Sequence, residues 1–320
     1  MGRRHPSVRP IDFRAGWTGR LIRTSAASAS AIGALAVILV ITAGATCRAR
    51  GWPSAPLVAV DDAGDTLRLT RPAERVVSLI PATTAVLFTI GAGDRVVGRT
   101  TWCDWPPEAL RVPSLGDGIE PNIELIVASR PDLVVLYRSA RNAQAAAQLR
   151  QLGIATIQLR TDLLADLERS AVVLGAATDQ AARAGEMVER LRRELAAARR
   201  ERPNPPSILV LAWDQPPMAI GRGSFLHQVV ELAGARNVFD DISAAAAPVS
   251  LEAVAARDPD LILTTSESQS FLDRPEWRVV RAVRERRLVR VRGTEWLRPT
   301  PRAPEAVREL AAALDSLSRR

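Results

Sequence analysis

Short apolar runs alternate with amphipathic stretches along most of this chain, and the period of each run predicts its element. Leu57–Val60 and Thr66–Leu69 flank the polar segment DDAGD, the pattern of a short hairpin. A buried strand is expected at 76–80, closed by Pro81. A helix at 84–90, closed by Gly91, and a strand at 95–98 come next. After a loop rich in tryptophan and proline, helix 123–129, strand 133–136, helix 140–152 and strand 155–159 continue the alternation, which predicts a largely parallel sheet. Residues 163–201 read as helical, interrupted at Gly175, with Thr178 as an N-cap and Pro203 as the stop. Ala184, Val188, Leu191, Leu195 and Ala198 put one apolar stripe on the second segment, and about 23 residues would extend roughly 35 Å, enough for a rigid strut. The plan then repeats. Strand 208–212, loop 213–223, helix 225–233, a strand near 237–239, helix 250–257, strand 261–265, helix 275–286, strand 288–292 and a helix from about 304 are expected.

Two stretches copy one another. Residues 123–136 read IELIVASRPDLVVL and residues 251–264 read LEAVAARDPDLILT, so Glu124, Ala128, Pro131 and Asp132 match Glu252, Ala256, Pro259 and Asp260 at a constant offset of 128. Upstream, Gly91 and Gly234 each follow an apolar helical run at an offset of 143, so the halves differ by an insertion or deletion of about fifteen residues. The expected fold is α/β: two three-layer (αβα) lobes with mostly parallel sheets, joined by a long rigid helix, with a ligand cleft between them. The expected boundaries are a leader at 1–47, a tether and hairpin at 48–73, an N-terminal lobe at 74–162, a linking helical backbone at 163–203 and a C-terminal lobe at 204–320.

The charge does not alter this picture. Of the net +8, the leader holds +5, from six arginines and Asp12 in residues 1–46, while the body carries 37 arginines and 34 acids. The basic start precedes an uncharged run at 26–46, most apolar at 32–41, which is the form of a secretory signal or membrane anchor. Export to the periplasm or cell surface is therefore expected. Three fates stay open for the leader: cleavage, retention as an anchor, or lipidation at Cys47. The only other cysteine is Cys103, so no disulfide framework is expected, and Cys103 reads as a packed thiol.

Aromatic residues make up only 4% of the chain, so their positions are informative. Tyr137 follows strand 133–136, Trp213 follows strand 208–212, Trp102 and Trp105 lie in the loop after strand 95–98, and Trp296 follows strand 288–292. Ligands of open parallel sheets bind at the carboxyl ends of the strands, so these five suggest a stacking surface for a large, flat or apolar ligand. Arg298 and Arg302 beside Trp296 are candidates for meeting an anionic ligand group. Catalytic patterns are missing. His227 is the one histidine of the body, and the chain holds no G-x-S-x-G elbow and no P-loop. Gly221-Arg-Gly223 has Leu226 where a third glycine would stand, so Ser224 reads as an ordinary N-cap. The arginines of 278–292 split between an amphipathic helix and an alternating strand, a solvated face rather than a nucleic-acid surface. Glu124 and Glu252 each open a short helix, where the dipole favours a carboxylate, yet the dipole does not explain why both lobes carry one.

The segments RVVSLIPATTAVLFTIGAGDRVVGRTTWCDWPPEAL, NIELIVASRPDLVVLYR, VSLEAVAARDPDLIL and EWLRPTPRAPEAV resemble the class III periplasmic substrate-binding proteins of ABC importers, above all the cobalamin- and ferric-siderophore-binding members. The resemblance covers roughly residues 57–318. It implies a monomer without enzymatic activity, resident cofactor or metal, tethered to the membrane by its leader. Such a protein would hand a corrinoid, ferric siderophore or haem to ABC permease subunits. Glu124 and Glu252 match the permease-docking glutamates, and Trp102, Tyr137 and Arg298 match cleft positions. Three positions depart from the pattern. Ala85 stands where a glutamate is usual, and residues 244–247 are alanines where the cobalamin binder has a tryptophan. Gly116-Asp117-Gly118 occupies the place of another cleft tryptophan. The alternatives are an exported binding module of a sensor or surface complex without a permease, and an enzyme on a related two-lobed scaffold. The missing nucleophile–base pair argues against the enzyme.

Overall fold

The computed structural model describes residues 56–266 and 269–318; the leader and Cys47 lie outside the described residues. Among the described residues no helix is long and apolar enough to cross a membrane. Strands β1 (Leu57–Val60) and β2 (Thr66–Leu69) form the antiparallel hairpin, with Leu57 opposite Leu69. Its turn is tied to the first lobe. The Asp61 carboxylate accepts the Gln158 N–H at 2.9 Å, and Asp62 takes the Arg169 guanidinium at 2.7 Å.

The first lobe follows the order β3 (Val76–Ser78), α1 (Pro81–Thr89), β4 (Val96–Arg99), α2 (Ile123–Ala128), β5 (Leu133–Tyr137), α3 (Ala140–Gln151) and β6 (Ala155–Leu159). Its sheet is wholly parallel, ordered β4-β3-β5-β6. Leu133, Val134, Val135 and Leu136 are all fully buried, the continuous apolar run of a strand covered on both faces.

Two helices lead to the second lobe, α4 (Leu164–Ala177) and α5 (Ala181–Ala198). Helix α4 packs on α1 and on α5. The break falls at 178–180 rather than at Gly175, and Thr178 closes α4, its hydroxyl donating to the Leu174 carbonyl at 2.7 Å. Gly175 marks close contact between the helices: a Cβ there would sit 2.4 Å from the Ala184 Cβ. The strut is thus a packed pair of helices, and the 18 residues of α5 extend about 27 Å, shorter than the sequence suggests.

The second lobe contains β7 (Ser207–Asp214), β8 (Pro217–Ile220), α6 (Phe225–Leu232), β9 (Arg236–Asn237), β10 (Ala246–Pro248), α7 (Leu251–Arg257), β11 (Leu261–Thr264), α8 (Arg281–Arg284), β12 (Leu288–Arg290) and α9 (Ala303–Ser318). Its sheet is ordered β10-β8-β7-β11-β12, with β9 beside β7. Part of the stretch expected as a loop after strand 208–212 is strand: β7 runs on through Trp213, and β8 folds back on it antiparallel. The alanine run supplies β10, an edge strand without the alternation that would reveal it. The helix expected at 275–286 is a 3-10 turn at Pro275–Val279 and then α8, separated by the extended Val280.

The duplicated blocks share their hydrogen bonds as well as their letters. Asp132 accepts the Glu74 and Arg75 N–H groups at 2.9 and 3.0 Å, and its own N–H donates to the Arg75 carbonyl at 2.9 Å. Asp260 accepts the Ser207 N–H at 2.8 Å, and its N–H donates to the Ser207 carbonyl at 2.9 Å. The register is the same in both lobes, Leu133 opposite Val76 and Leu261 opposite Ile208. Arg130 and Asp258, at the same offset, both adopt positive φ (49° and 42°) between helix and strand.

Burial alone would raise the Asp260 carboxyl, but the Ser207 N–H and hydroxyl and the Arg281 guanidinium hold it below the ordinary value. A lowered folded-state pKa contributes stability above the unfolded value of about 3.9 that is lost as pH falls through the folded one. Asp260 is partly exposed, so solvent screens its contacts, and Asp260→Asn is expected to lower stability by about 0.5–1.5 kcal/mol near neutral pH. Urea unfolding should show the wild-type advantage shrinking below about pH 4; an advantage independent of pH would contradict the assignment.

Candidate functional site

An apolar pocket of about 600 Å³ opens where the first lobe's strands end. Its floor is Leu79 and Ile80 after β3, and the N-termini of α1 (Pro81, Ala82) and α3 (Ala140, Arg141, Asn142) border it. Tyr137 comes from the end of β5, Asp117 to Ile119 from the loop before α2, and Arg298 from the second lobe, which makes this a cleft between the lobes. Gly118 (φ +80) lies over the floor, and a Cβ there would stand 2.8 Å from the Leu79 carbonyl oxygen.

Tyr137 ends β5, and its hydroxyl donates to Asp162 at 2.8 Å. Burial first, then the hydrogen bond to that carboxylate, pushes its pKa up to about 12. It is thus a neutral phenol that keeps its proton.

The loop carrying Trp102 and Trp105 is anchored at its base by Cys103. The fully buried thiol lies 3.1 Å from the Thr100 hydroxyl and 3.2 Å from the Thr84 hydroxyl of α1, and Thr84 in turn donates to Ser78 at 2.8 Å. With Cys103 held inside, Trp102 is left 60% exposed. The second lobe grips the same loop. Arg298 donates to the Trp102 carbonyl at 2.9 Å and to Asp104 at 2.6 Å, and the Arg302 guanidinium lies 6.0 Å from the Trp105 ring centre.

Of the residues expected at the ligand site, Tyr137 and Arg298 line the pocket, whereas Trp102, Trp105, Trp213 and Trp296 do not. Trp296 is fully buried, its indole N–H donating to Glu309 at 3.0 Å, so it offers a ligand no face. Trp213 lies within β7 rather than after it; it is 58% exposed with its indole N–H on the Gln215 carbonyl, and it does not line the pocket. Arg302 is committed to Glu295 and Glu305 at 2.8 and 2.5 Å. Sequence reasoning missed Ile119, which lines the pocket at 62% exposure, and Leu297, 60% exposed beside Arg298. Neither stands in a periodic pattern that would single it out.

Away from the cleft, Glu124 and Glu252 occupy the first turns of α2 and α7 and are exposed. Each helix is capped alike, Asn122 accepting from Leu125 N–H at 3.0 Å and Ser250 from Ala253 N–H at 3.1 Å. The Glu252 carboxyl is held below its usual range by its own backbone N–H and by the Ser250 hydroxyl. His227 is buried beside Asn237 and Glu231. The arginine-rich stretch is extensively paired: Arg281 with Asp258 and Asp260, Arg286 with Asp273, Arg287 with Glu285. Among the described residues no cluster of three His, Cys, Asp or Glu side chains could hold a metal ion.

This architecture is that of the periplasmic binding proteins, and the family of that description matches residues 76–293. The chain belongs to that family. It is 26% identical over 269 residues to the uncharacterized ABC transporter substrate-binding lipoprotein YvrC of Bacillus subtilis, covering 80% of this chain and 85% of the relative. It is 26% identical over 249 residues to the vitamin B12-binding protein of Vibrio cholerae, covering 76% of this chain and 90% of the relative. Among solved structures, it resembles the periplasmic heme-binding protein RhuT from Roseiflexus sp. RS-1 in its apo form. There the TM-score is 0.68 and the identity 26%, over 75% of this chain and 97% of the other.

Burial separates the tryptophans experimentally. Trp296→Ala should cost about 3–5 kcal/mol of stability, measured by denaturant unfolding. Trp102→Ala should change stability by less than about 0.5 kcal/mol. Equal losses from both would mean that the Trp102 ring is packed rather than presented.

Proposed function

We propose that this chain is an extracytoplasmic solute-binding protein that captures a large metal chelate (a corrinoid, a ferric siderophore or haem) between its lobes and delivers it to an ABC import permease. The observation that carries this reading is the apolar interlobe pocket, bordered by Tyr137 and Ile119, with the exposed Trp102 ring on the loop that Arg298 grips. Such a surface suits a broad ligand with apolar faces, each aromatic contact contributing about 0.5–1.5 kcal/mol beyond area burial. Arg298 belongs to the ligand wall, and its buried Nε–H finds no acceptor within the protein.

Tyr137 presents a neutral phenol whose hydroxyl donates to Asp162, and in this reading the chelate arrives with its metal already coordinated. The packed strut of α4 and α5 and the arginine grip on the Trp102 loop favour small closure on binding. Glu124 and Glu252, equivalent in sequence, capping and exposure, serve as docking points for permease arginines, and the leader provides export and membrane attachment. Catalysis is not part of this reading. The vitamin B12-binding relative and the substrate-binding lipoprotein relative point the same way.

Titration of the full chain with cobalamin, cobinamide, a ferric siderophore and haem, followed by tryptophan fluorescence, should detect binding of at least one; binding of none overturns the proposal. Trp102→Ala should weaken that binding by about 0.5–1.5 kcal/mol. The double variant Glu124→Ala/Glu252→Ala is expected to retain chelate affinity and abolish transport in vesicles containing the permease. Loss of chelate binding in that variant would remove the docking role.

A further inference from the structure

Both arginines that line the pocket are paired with carboxylates. Arg298 is paired with Asp104 at 2.6 Å across the cleft, its guanidinium only 17% exposed. Arg141, at the N-terminus of α3, is paired with Glu120. Arg160, close enough to act on the Tyr137 hydroxyl, faces Asp166 at 3.7 Å. Two further carboxylates have no ion-pair partner among the described residues. Asp117 lines the pocket and accepts the Ile119 N–H at 2.8 Å, and Asp162 holds the Tyr137 proton. Neither arginine of the pocket lining is therefore a free cation.

We infer that this pocket takes a neutral or cationic chelate and disfavours polyanionic ones, and that Asp104 is the residue that sets this preference. The inference rests on the chelate-binding reading above and names the charge class of the ligand. An anionic group approaching Arg298 meets a guanidinium whose charge Asp104 has already neutralised. It must either displace that carboxylate or lie beside it, and like charges at such range oppose binding. A neutral ligand needs no such displacement and leaves the Arg298–Asp104 pair intact. The same ion pair joins the loop of the first lobe to the second lobe, so an anion that broke it would also loosen the grip that sets the cleft.

The test compares affinities of the full chain for two pairs of probes: cobinamide and ferrioxamine B, cationic or neutral, against haemin and a ferric tris-catecholate, both anionic. The wild type should bind the better of the first pair at least about tenfold more tightly than either of the second, about 1.4 kcal/mol. Asp104→Asn should move that ratio at least about tenfold toward the anions. The gain should fade near 1 M salt, where screening acts within about 3 Å. Adding Arg298→Gln to that variant should abolish the gain, which identifies the freed guanidinium as its source. Asp104 is 48% exposed, and the unfolding midpoint of each variant reports its folding. Wild-type preference for an anionic probe, or an unchanged ratio in Asp104→Asn, overturns the inference while leaving chelate binding intact. Failure to bind any probe overturns both.

Discussion

The structure depends on a carboxylate at the head of one strand gripping the backbone at the start of its neighbour. Asp132 and Asp260 each close a short ring of hydrogen bonds with the residue that precedes or begins the adjacent strand. A parallel pair has no hairpin to set its register, so the alignment must come from side-chain contacts and packing. Here the same clamp gives the same register in both lobes. With the strand starts aligned, the strand ends align too, and in the first lobe Leu79, Ile80 and Tyr137 come together at one edge. The positive φ of Arg130 and Asp258 is the local strain this arrangement accepts, turning the chain from helix to strand within four residues in the first lobe and three in the second.

Once each lobe has its working edge, their separation is set by two contacts of different kinds. The first is the α4–α5 pair, close enough at Gly175 that a methyl group would not fit without movement. The second is the loop at 100–106, rooted in the first lobe through Cys103 and held from the second by Arg298 and Arg302. The lone cysteine of the body thus has a structural role. Burying its thiol against two threonine hydroxyls fixes the base of the loop and leaves the neighbouring Trp102 ring exposed.

In the proposed function, duplication and divergence divide the labour. The copied blocks supply the strand clamps and the two capped, exposed glutamates. The segment that differs most between the halves, 93–122, supplies Trp102, Asp104 and the Gly118 loop over the pocket floor. Gly118 lies too near the Leu79 carbonyl to carry a side chain, and Ala246 and Ala247 lie in an edge strand.

The sequence by itself determined the two-lobed α/β plan, the duplicated clamps, the helical strut and the placing of Tyr137 at a strand end. Each of these rests on local periodicity or on a spacing repeated in both halves. Which aromatic residues are exposed and which are sealed was settled by packing between distant segments. Trp296 and Trp102 both follow a strand in the sequence, yet one is sealed by Glu309 and α9 while the other is left exposed by its buried neighbour. Tertiary structure also decided the state of Arg298. A guanidinium in a cleft reads from sequence as a free charge for an anion; its partner Asp104 lies 194 residues away in the chain. Pairings across such a distance leave no periodic trace, because they arise only when two separately folded lobes are set face to face.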